Sequence, residues 1–269
     1  MKKITLLDTS ICTENNGDKI IMDSINREIN NIHGDFFQVN LPTHDKIGIN
    51  SYKHIMSSDL VYACGTNMLS SNMWYYNQWK INMVDSFFLK DVILLGVGWW
   101  QYQRKPDLYT KILLKRVLNS NIIHSVRDSY TENMLKSIGI NNVTNTSCPT
   151  MWNLTPEHCE NIPTVKSSNV LLTLTNYNKD PKNDKKLIDI LQRNYKNIYF
   201  WIQAHEDKEY IESLVNTEGI RYVGPSLKAL DSLLQNNSMA LDFVGTRLHA
   251  GIRALQNKRR TIIIGIDNR

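Results

Sequence analysis

The residues best suited to chemistry in this 269-residue chain fall in four short segments: Asn16-Gly17-Asp18, Gly65-Thr66-Asn67, Gly96-Val97-Gly98-Trp99-Trp100 and Gly245-Thr246-Arg247-Leu248-His249. Each comes after an apolar run, and in open parallel sheets ligands bind beyond the carboxyl ends of strands. The last segment says most. Gly245 and Thr246 sit at a strand end, and Arg247 and His249 fall in the first turn of the helix expected next. A helix start attracts anions through its unpaired N–H groups and its dipole. An arginine there adds a planar fork for a phosphate or carboxylate, and a histidine adds a proton donor near neutral pH. A plainer reading stays open, in which Arg247 pairs with a nearby acid and His249 caps or packs.

The elements that must position these segments show in the periodicity. Short runs rich in β-branched residues alternate with amphipathic stretches, the pattern of βα units and a mostly parallel sheet. Ile4–Leu7, Leu60–Cys64, Val92–Val97 and Ile122–Val126 are the first set of expected strands. Ile21, Ile25, Ile29 and Ile32 mark one helical face after the first of them. Tyr130, Met134, Leu135 and Ile138 mark another, with Gly139 where a C-terminal cap glycine belongs. Between Cys148 and Ser168 the periodicity lapses at Pro149, Pro156 and Pro163. A second set then runs Val170–Leu174, Ile198–Ile202, Arg221–Val223, Ala240–Val244 and Thr261–Ile266. The expectation is an α/β protein of two Rossmann-like domains, residues 1–148 and 169–269, joined by a crossover over 149–168. The chain stops at Arg269 directly after a strand, which fits either a truncated chain or a natural minimal version.

Bulk composition narrows the classes. Apolar residues make up 42% and charged residues 21%, near the soluble globular average. No apolar run approaches the roughly 20 residues of a membrane span, and Asp8 interrupts the first run too early for a signal peptide, so a cytoplasmic protein with at most peripheral membrane association is expected. Cys12, Cys64, Cys148 and Cys159 are scattered, without zinc or disulfide spacing, and no metal is expected. The net charge of +5 and the single basic run Lys258-Arg259-Arg260 give little support to a nucleic-acid partner and suit a small anion equally well. Trp74, Tyr75, Tyr76, Trp79, Trp99, Trp100 and Tyr102 crowd the first half, where sugar rings could pack on them or they could fill the core. Trp99 and Trp100, after a glycine turn, are the sugar-binding candidates among them. His205, after a strand of the second half, is a further site candidate.

Gly245-Thr246-Arg247-Leu248-His249-Ala250, followed by a helix and an Ile-rich strand, resembles the C-terminal signature of the polysaccharide pyruvyl transferases. Asn16-Gly17-Asp18 and Ser125-Val126-Arg127-Asp128 occur in that family's order, and the resemblance runs from about Asp8 to the chain end. Two segments depart from the family: Cys64-Gly65-Thr66-Asn67 replaces a run of glycines, and Cys148-Pro149-Thr150-Met151-Trp152 replaces an Asp-Pro-Ala-like segment.

The resemblance implies two domains facing across a cleft, similar to the GT-B glycosyltransferase arrangement. It implies phosphoenolpyruvate as donor substrate, with no separate cofactor, and a sugar or lipid-linked glycan of the cell surface as acceptor, converted to a pyruvate ketal. It carries donor contacts onto Gly245, Thr246, Arg247, Leu248 and His249, and a second guanidinium onto Arg127, which could instead pair with Asp128. Ketal formation needs a proton on the donor methylene and attack by two hydroxyls. His249 is the candidate acid, and Asp18 could orient or deprotonate a hydroxyl, or simply satisfy a helix start. Asn16, Gly17, Trp99 and Trp100 are assigned to the acceptor. Two rivals remain: a nucleotide-sugar glycosyltransferase of the same architecture, and a catalytically inactive glycan-binding relative. The first would need a pocket for base and ribose. A dinucleotide-binding dehydrogenase is disfavoured because no Gly-x-Gly-x-x-Gly follows the first strand.

Overall fold

A computed structural model describes residues 1–266. The stretch 267–269, and with it the chain end at Arg269, lies outside the described residues. The chain divides into two compact units, one formed by Met1–Thr13 and Ile21–Pro149, the other by Glu14–Ile20 together with the chain from Thr150 on. Each is a layered α/β unit around a parallel sheet.

In the first unit the elements are β1 (Lys2–Asp8), most of α1 (Asn16–His33), β2 (Phe36–Pro42), α2 (Ile49–Met56), β3 (Leu60–Cys64), β4 (Val92–Leu95), α3 (Leu108–Val117), β5 (His124–Val126), α4 (Ser129–Ser137) and β6 (Val143–Asn145). The sheet runs β2-β1-β3-β4, all parallel. β5 pairs with β6 and meets the chain beyond β4 at Val97↔Val126. Residues Ile4 to Asp8 of β1 are all buried, as expected of a parallel strand covered on both faces. The α1 face of Ile21, Ile25 and Ile29 packs with Ile4 and Leu6 in one apolar cluster. Asp107 and Asp128 cap α3 and α4 by accepting from the N–H of Thr110 and Thr131, each at 2.7 Å. Gly139 ends α4 with φ +85, and Ile140 N–H reaches Leu135 O at 3.1 Å, the six-to-one bond of a Schellman cap.

The second unit carries α5 (Pro156–Glu160), β7 (Asn169–Thr173), α6 (Pro181–Asn194), β8 (Asn197–Trp201), α7 (Asp207–Leu214), β9 (Ile220–Val223), α8 (Leu227–Leu234), β10 (Asp242–Gly245), α9 (Leu248–Gln256) and β11 (Thr261–Ile263). Its sheet is β11-β10-β7-β8-β9, again all parallel. β7 is buried throughout. Leu171, Trp201, Phe243 and Ala250 form the core on one flank together with Ile20, and Val170, Leu172, Phe200 and Ile211 form it on the other.

Several elements differ from the sequence expectation. β2 and β6 were not anticipated. β2 is an edge strand with mostly exposed or half-exposed residues and a terminal proline, so it lacks the apolar run that marks the interior strands. β4 stops at Leu95, because Gly96 turns the chain with φ +65. β11 ends at Ile263, short of the expected Ile266. Asn16-Gly17-Asp18 is the first turn of α1 and not a loop after a strand.

Gly245 shows how tightly β10 lies against its neighbour. A Cβ at this position would come within 2.4 Å of Thr173 O and 2.9 Å of Thr173 N. Backbone in a central strand cannot yield, so Gly245→Ala is expected to cost at least about 1–3 kcal/mol, read as a lower urea midpoint at unchanged slope.

Candidate functional site

The second unit places β10 and α9 so that Thr246 and Arg247 lie at the carboxyl edge of the sheet, where βα turns present their backbone. Arg247 is the N-cap residue of α9 and offers no side-chain cap, since a guanidinium has no acceptor. Its side chain turns inward instead. Nε donates to Leu174 O at 2.9 Å, and Nη2 donates to Asn176 Oδ1 at 3.0 Å and to Asp207 Oδ1 in an ion pair. Both pair members are buried, Arg247 at 3% exposure and Asp207 at 0%. The plainer reading of Arg247 is therefore the one found in the fold. Among the described residues Nη1 makes no hydrogen bond to protein, and the guanidinium carbon lies 5.4 Å from the centroid of the Tyr177 ring.

Asp207 organises the turn after β8. Its Oδ2 accepts from the N–H of Gln203 at 3.0 Å and of Ala204 at 2.9 Å. Burial pushes its carboxyl above the usual range, while Arg247 and the two N–H groups pull it back. Gln203, itself 3% exposed, passes the restraint on to the start of α1. Its carbonyl accepts from Asn16 N–H at 3.2 Å and from Asn16 Nδ2 at 2.9 Å. Its side-chain Nε2 donates to Asn15 Oδ1 at 2.8 Å, and the same oxygen accepts from Gly17 N–H at 3.0 Å.

The two sequence-predicted segments of this unit thus meet. A Cβ at Gly17 would stand 3.0 Å from Gln203 Nε2, 3.1 Å from Asn15 Oδ1 and 3.4 Å from His249 Nδ1. His249, 6% exposed, occupies the second position of α9, and Leu248 before it is half-buried. Asp18 is buried at the third position of α1, where a carboxylate suits the helix dipole. Thr246 is held through its hydroxyl, which bonds Thr175 Oγ1 at 2.9 Å. A cavity of about 520 Å³, lined by Asn178, Asp180, Asn183, Asp184 and Ile264 among others, adjoins the β10–α9 turn through Thr246.

Arg127 belongs to the first unit, just past β5. It is 8% exposed, and its stem crosses Gly98, where a Cβ would lie 2.5 Å from Arg127 Cδ and 2.2 Å from Asn67 Oδ1. Asp128, the acid offered as its partner, caps α4. Among the described residues no carboxylate pairs with Arg127, and Nη2 is buried without a hydrogen-bond partner. One nitrogen of its guanidinium is thus buried with no protein acceptor among them.

The aromatic expectation needs correction. Trp99 is 1% exposed in the first unit's core, and its indole N–H is satisfied by Ser71 Oγ at 3.2 Å and Gln103 Oε1 at 3.1 Å, so it offers no face to a sugar. Trp79 is likewise core. Trp100 is half-exposed and packs on Tyr76 with ring centroids 4.2 Å apart, while Trp74 and Tyr102 are exposed. His205 is exposed. Arg259 donates to the carbonyls of Leu234, Asn236 and Met239, and Arg260 pairs with Asp242, so two of the three basic side chains bind protein groups while Lys258 is exposed.

Sequence reasoning missed Gln203 and Asp207. The strand-end rule could have reached them, since both follow β8, but nothing local marks either residue as distinctive. Among the described residues no group of His, Cys, Asp and Glu could hold a metal ion, and no helix is long and apolar enough to cross a membrane.

Compared with known proteins, residues 15–268 match the model of a family described as polysaccharide pyruvyl transferase. No curated protein matches the chain.

The two arginines should respond oppositely to removal. Arg247→Ala strands the Asp207 carboxylate and is expected to lower the unfolding free energy by about 3–5 kcal/mol. Arg127→Met removes an unpaired buried charge and should leave the melting temperature unchanged or raised, while abolishing any upward shift that inorganic phosphate gives the wild type. Differential scanning calorimetry with and without phosphate checks both.

Proposed function

The chain belongs to the polysaccharide pyruvyl transferase family, and from that premise we propose that it transfers the pyruvyl group of phosphoenolpyruvate to two hydroxyls of one sugar residue in a cell-surface glycan, releasing phosphate. The observation that supports this reading is the close approach of the starts of α9 and α1, where a Cβ at Gly17 would stand 3.4 Å from His249 Nδ1. An anion-attracting helix start, a buried imidazole and a polar wall opposite are what the donor's reacting end requires.

In this reading the start of α9 and the Nη1 edge of Arg247 receive one anionic group of the donor, with Thr246 and Leu248 shaping the turn. Gly245 contributes by letting β10 close on β7, which sets where that turn stands. Arg127, in the first unit, is proposed as an anion-binding residue on the strength of the family resemblance and of its buried Nη2 without a partner. His249 delivers a proton to the methylene carbon as the first hydroxyl attacks the adjacent carbon, and Asp18 orients that hydroxyl. The second hydroxyl replaces phosphate at the same carbon. Of the two hydroxyl protons, one is balanced by the new methyl C–H and one leaves with phosphate. No step calls for a metal or a further cofactor.

A nucleotide-sugar donor would need room for a base and ribose in addition to an anion clamp. Mass spectrometry of products from phosphoenolpyruvate and a panel of glycans tests the reading, and a pyruvate-bearing glycan is the expected product. For the acid, His249→Gln keeps a hydrogen-bonding amide but no proton to give. Its turnover is expected to fall about 10²–10⁴-fold with a much smaller change in donor affinity. Near-wild-type turnover with the same pH profile would reduce His249 to a positioning role.

A further inference from the structure

Two buried oxygens where Gln203 packs on the start of α1 lack a donor. Asn16 Oδ1 and Gln203 Oε1 have no hydrogen-bond partner among the described residues, although the parent residues are 4% and 3% exposed. In side-chain amides the oxygen and nitrogen ends are assigned from their neighbours, and here the neighbours leave no choice. Asn16 Nδ2 faces Gln203 O at 2.9 Å, so the reverse orientation would set oxygen against oxygen. Asn15 Oδ1 is fixed as an acceptor by Gly17 N–H, and this fixes Gln203 Nε2 as the end that faces it. Both free ends are therefore carbonyl oxygens, and an unpaired buried carbonyl is rare enough to require an occupant.

The N–H groups at the start of α1 are already used: Asn16 N–H on Gln203 O, Gly17 N–H on Asn15 Oδ1, and Asp18 N–H on Asn15 O at 3.1 Å. An anion would find no free backbone donor among these three N–H groups. A neutral ligand rich in hydroxyls fits, because each hydroxyl donates one hydrogen bond. The absence of a side chain at Gly17 lets the Gln203 amide lie close against the start of α1, since a Cβ there would crowd that amide and the Asn15 oxygen.

We propose that Asn16 Oδ1 and Gln203 Oε1 form the hydroxyl-accepting pair of the acceptor subsite, each taking a hydrogen bond from one hydroxyl of the sugar. The proposal rests on the pyruvyl-transfer reading for the identity of the sugar as acceptor. It makes Gln203 a substrate-positioning residue with one end of its amide tied to Asn15 and the other given to the ligand. Water in the place of the sugar is the alternative occupant.

The test uses the full chain, methyl hexopyranosides and their singly deoxygenated analogues as probes, with binding followed by saturation-transfer NMR and calorimetry independently of turnover. Gln203→Met removes the oxygen and should weaken the best-binding glycoside about tenfold, the loss of one hydrogen bond to a buried group. One deoxy analogue should bind the wild type about tenfold worse and Gln203→Met no worse than its parent, so that the two losses do not add. Gly17→Ala presses a Cβ onto the Gln203 amide without removing its oxygen, and glycoside binding should fall in a variant whose circular dichroism shows the fold kept. Glycoside affinity unchanged in both variants, or full additivity for every deoxy analogue, would overturn the proposal and leave water as the occupant. If glycosides bind through Gln203 yet phosphoenolpyruvate is never consumed, the subsite stands and the pyruvyl-transfer reading falls. If phosphoenolpyruvate is consumed with an acceptor Michaelis constant indifferent to Gln203→Met, the pyruvyl-transfer reading stands and the subsite falls.

Discussion

The buried ion pair between Arg247 and Asp207 is the constraint on which the second unit's site depends. Asp207 holds the β8–α7 turn through two backbone N–H groups, and that turn holds Gln203, whose carbonyl anchors the start of α1. Arg247 fixes the other end of the chain of contacts, because its backbone begins α9 while its guanidinium is clamped to Asp207, Asn176 and Leu174 O. Breaking the pair would leave a charge in a fully buried position, a penalty of several kcal/mol that no surface interaction here could offset. Its worth is thus geometric as much as energetic: it sets where His249 stands relative to Gly17.

The two arginines illustrate separate uses of the same side chain. Arg247 is held by protein partners and keeps only one edge of its fork open, whereas Arg127 is buried with no acid beside it among the described residues. The first is held as scaffold, and in the proposed reading also meets the ligand. The second is, in that reading, a binding group whose counter-ion arrives with the ligand. A similar division appears at the start of α1, where Asn15 and Gln203 occupy the helix donors and leave two carbonyl oxygens open. The proposed reading accordingly gives anion recognition to α9 and hydroxyl recognition to α1.

Much of this was legible in the sequence where the signal was local. The interior strands are short apolar runs, the α1 stripe of Ile21, Ile25 and Ile29 repeats every four residues although Ile32, expected on the same face, is exposed, and Gly139 caps α4 as its position suggested. The Gly245 to His249 segment stood out because strand end, arginine and histidine are adjacent in the chain. What stayed hidden depended on distance along it. Gln203 meets Asn15 across 188 residues and Asp207 meets Arg247 across 40, and neither partner carries a motif. Trp99 and Trp100 are neighbours with the same composition around them, yet one side chain turns into the core and the other stays half-exposed. A glycine turn locates the backbone of such a pair without saying which ring turns inward. β2 was missed because an edge strand needs no unbroken apolar run.

If the start of α9 is the anion end of the donor site, a crystal structure of the protein with phosphoenolpyruvate should show it. The expected result is a carboxylate or phosphate oxygen of the donor within about 3 Å of a backbone N–H in the first turn of α9, with the Nη1 edge of Arg247 against it and His249 beside the methylene carbon. Donor density that makes no contact with residues 246–249, such as density confined to the part of the cavity lined by Asn178 and Asn183, would contradict it.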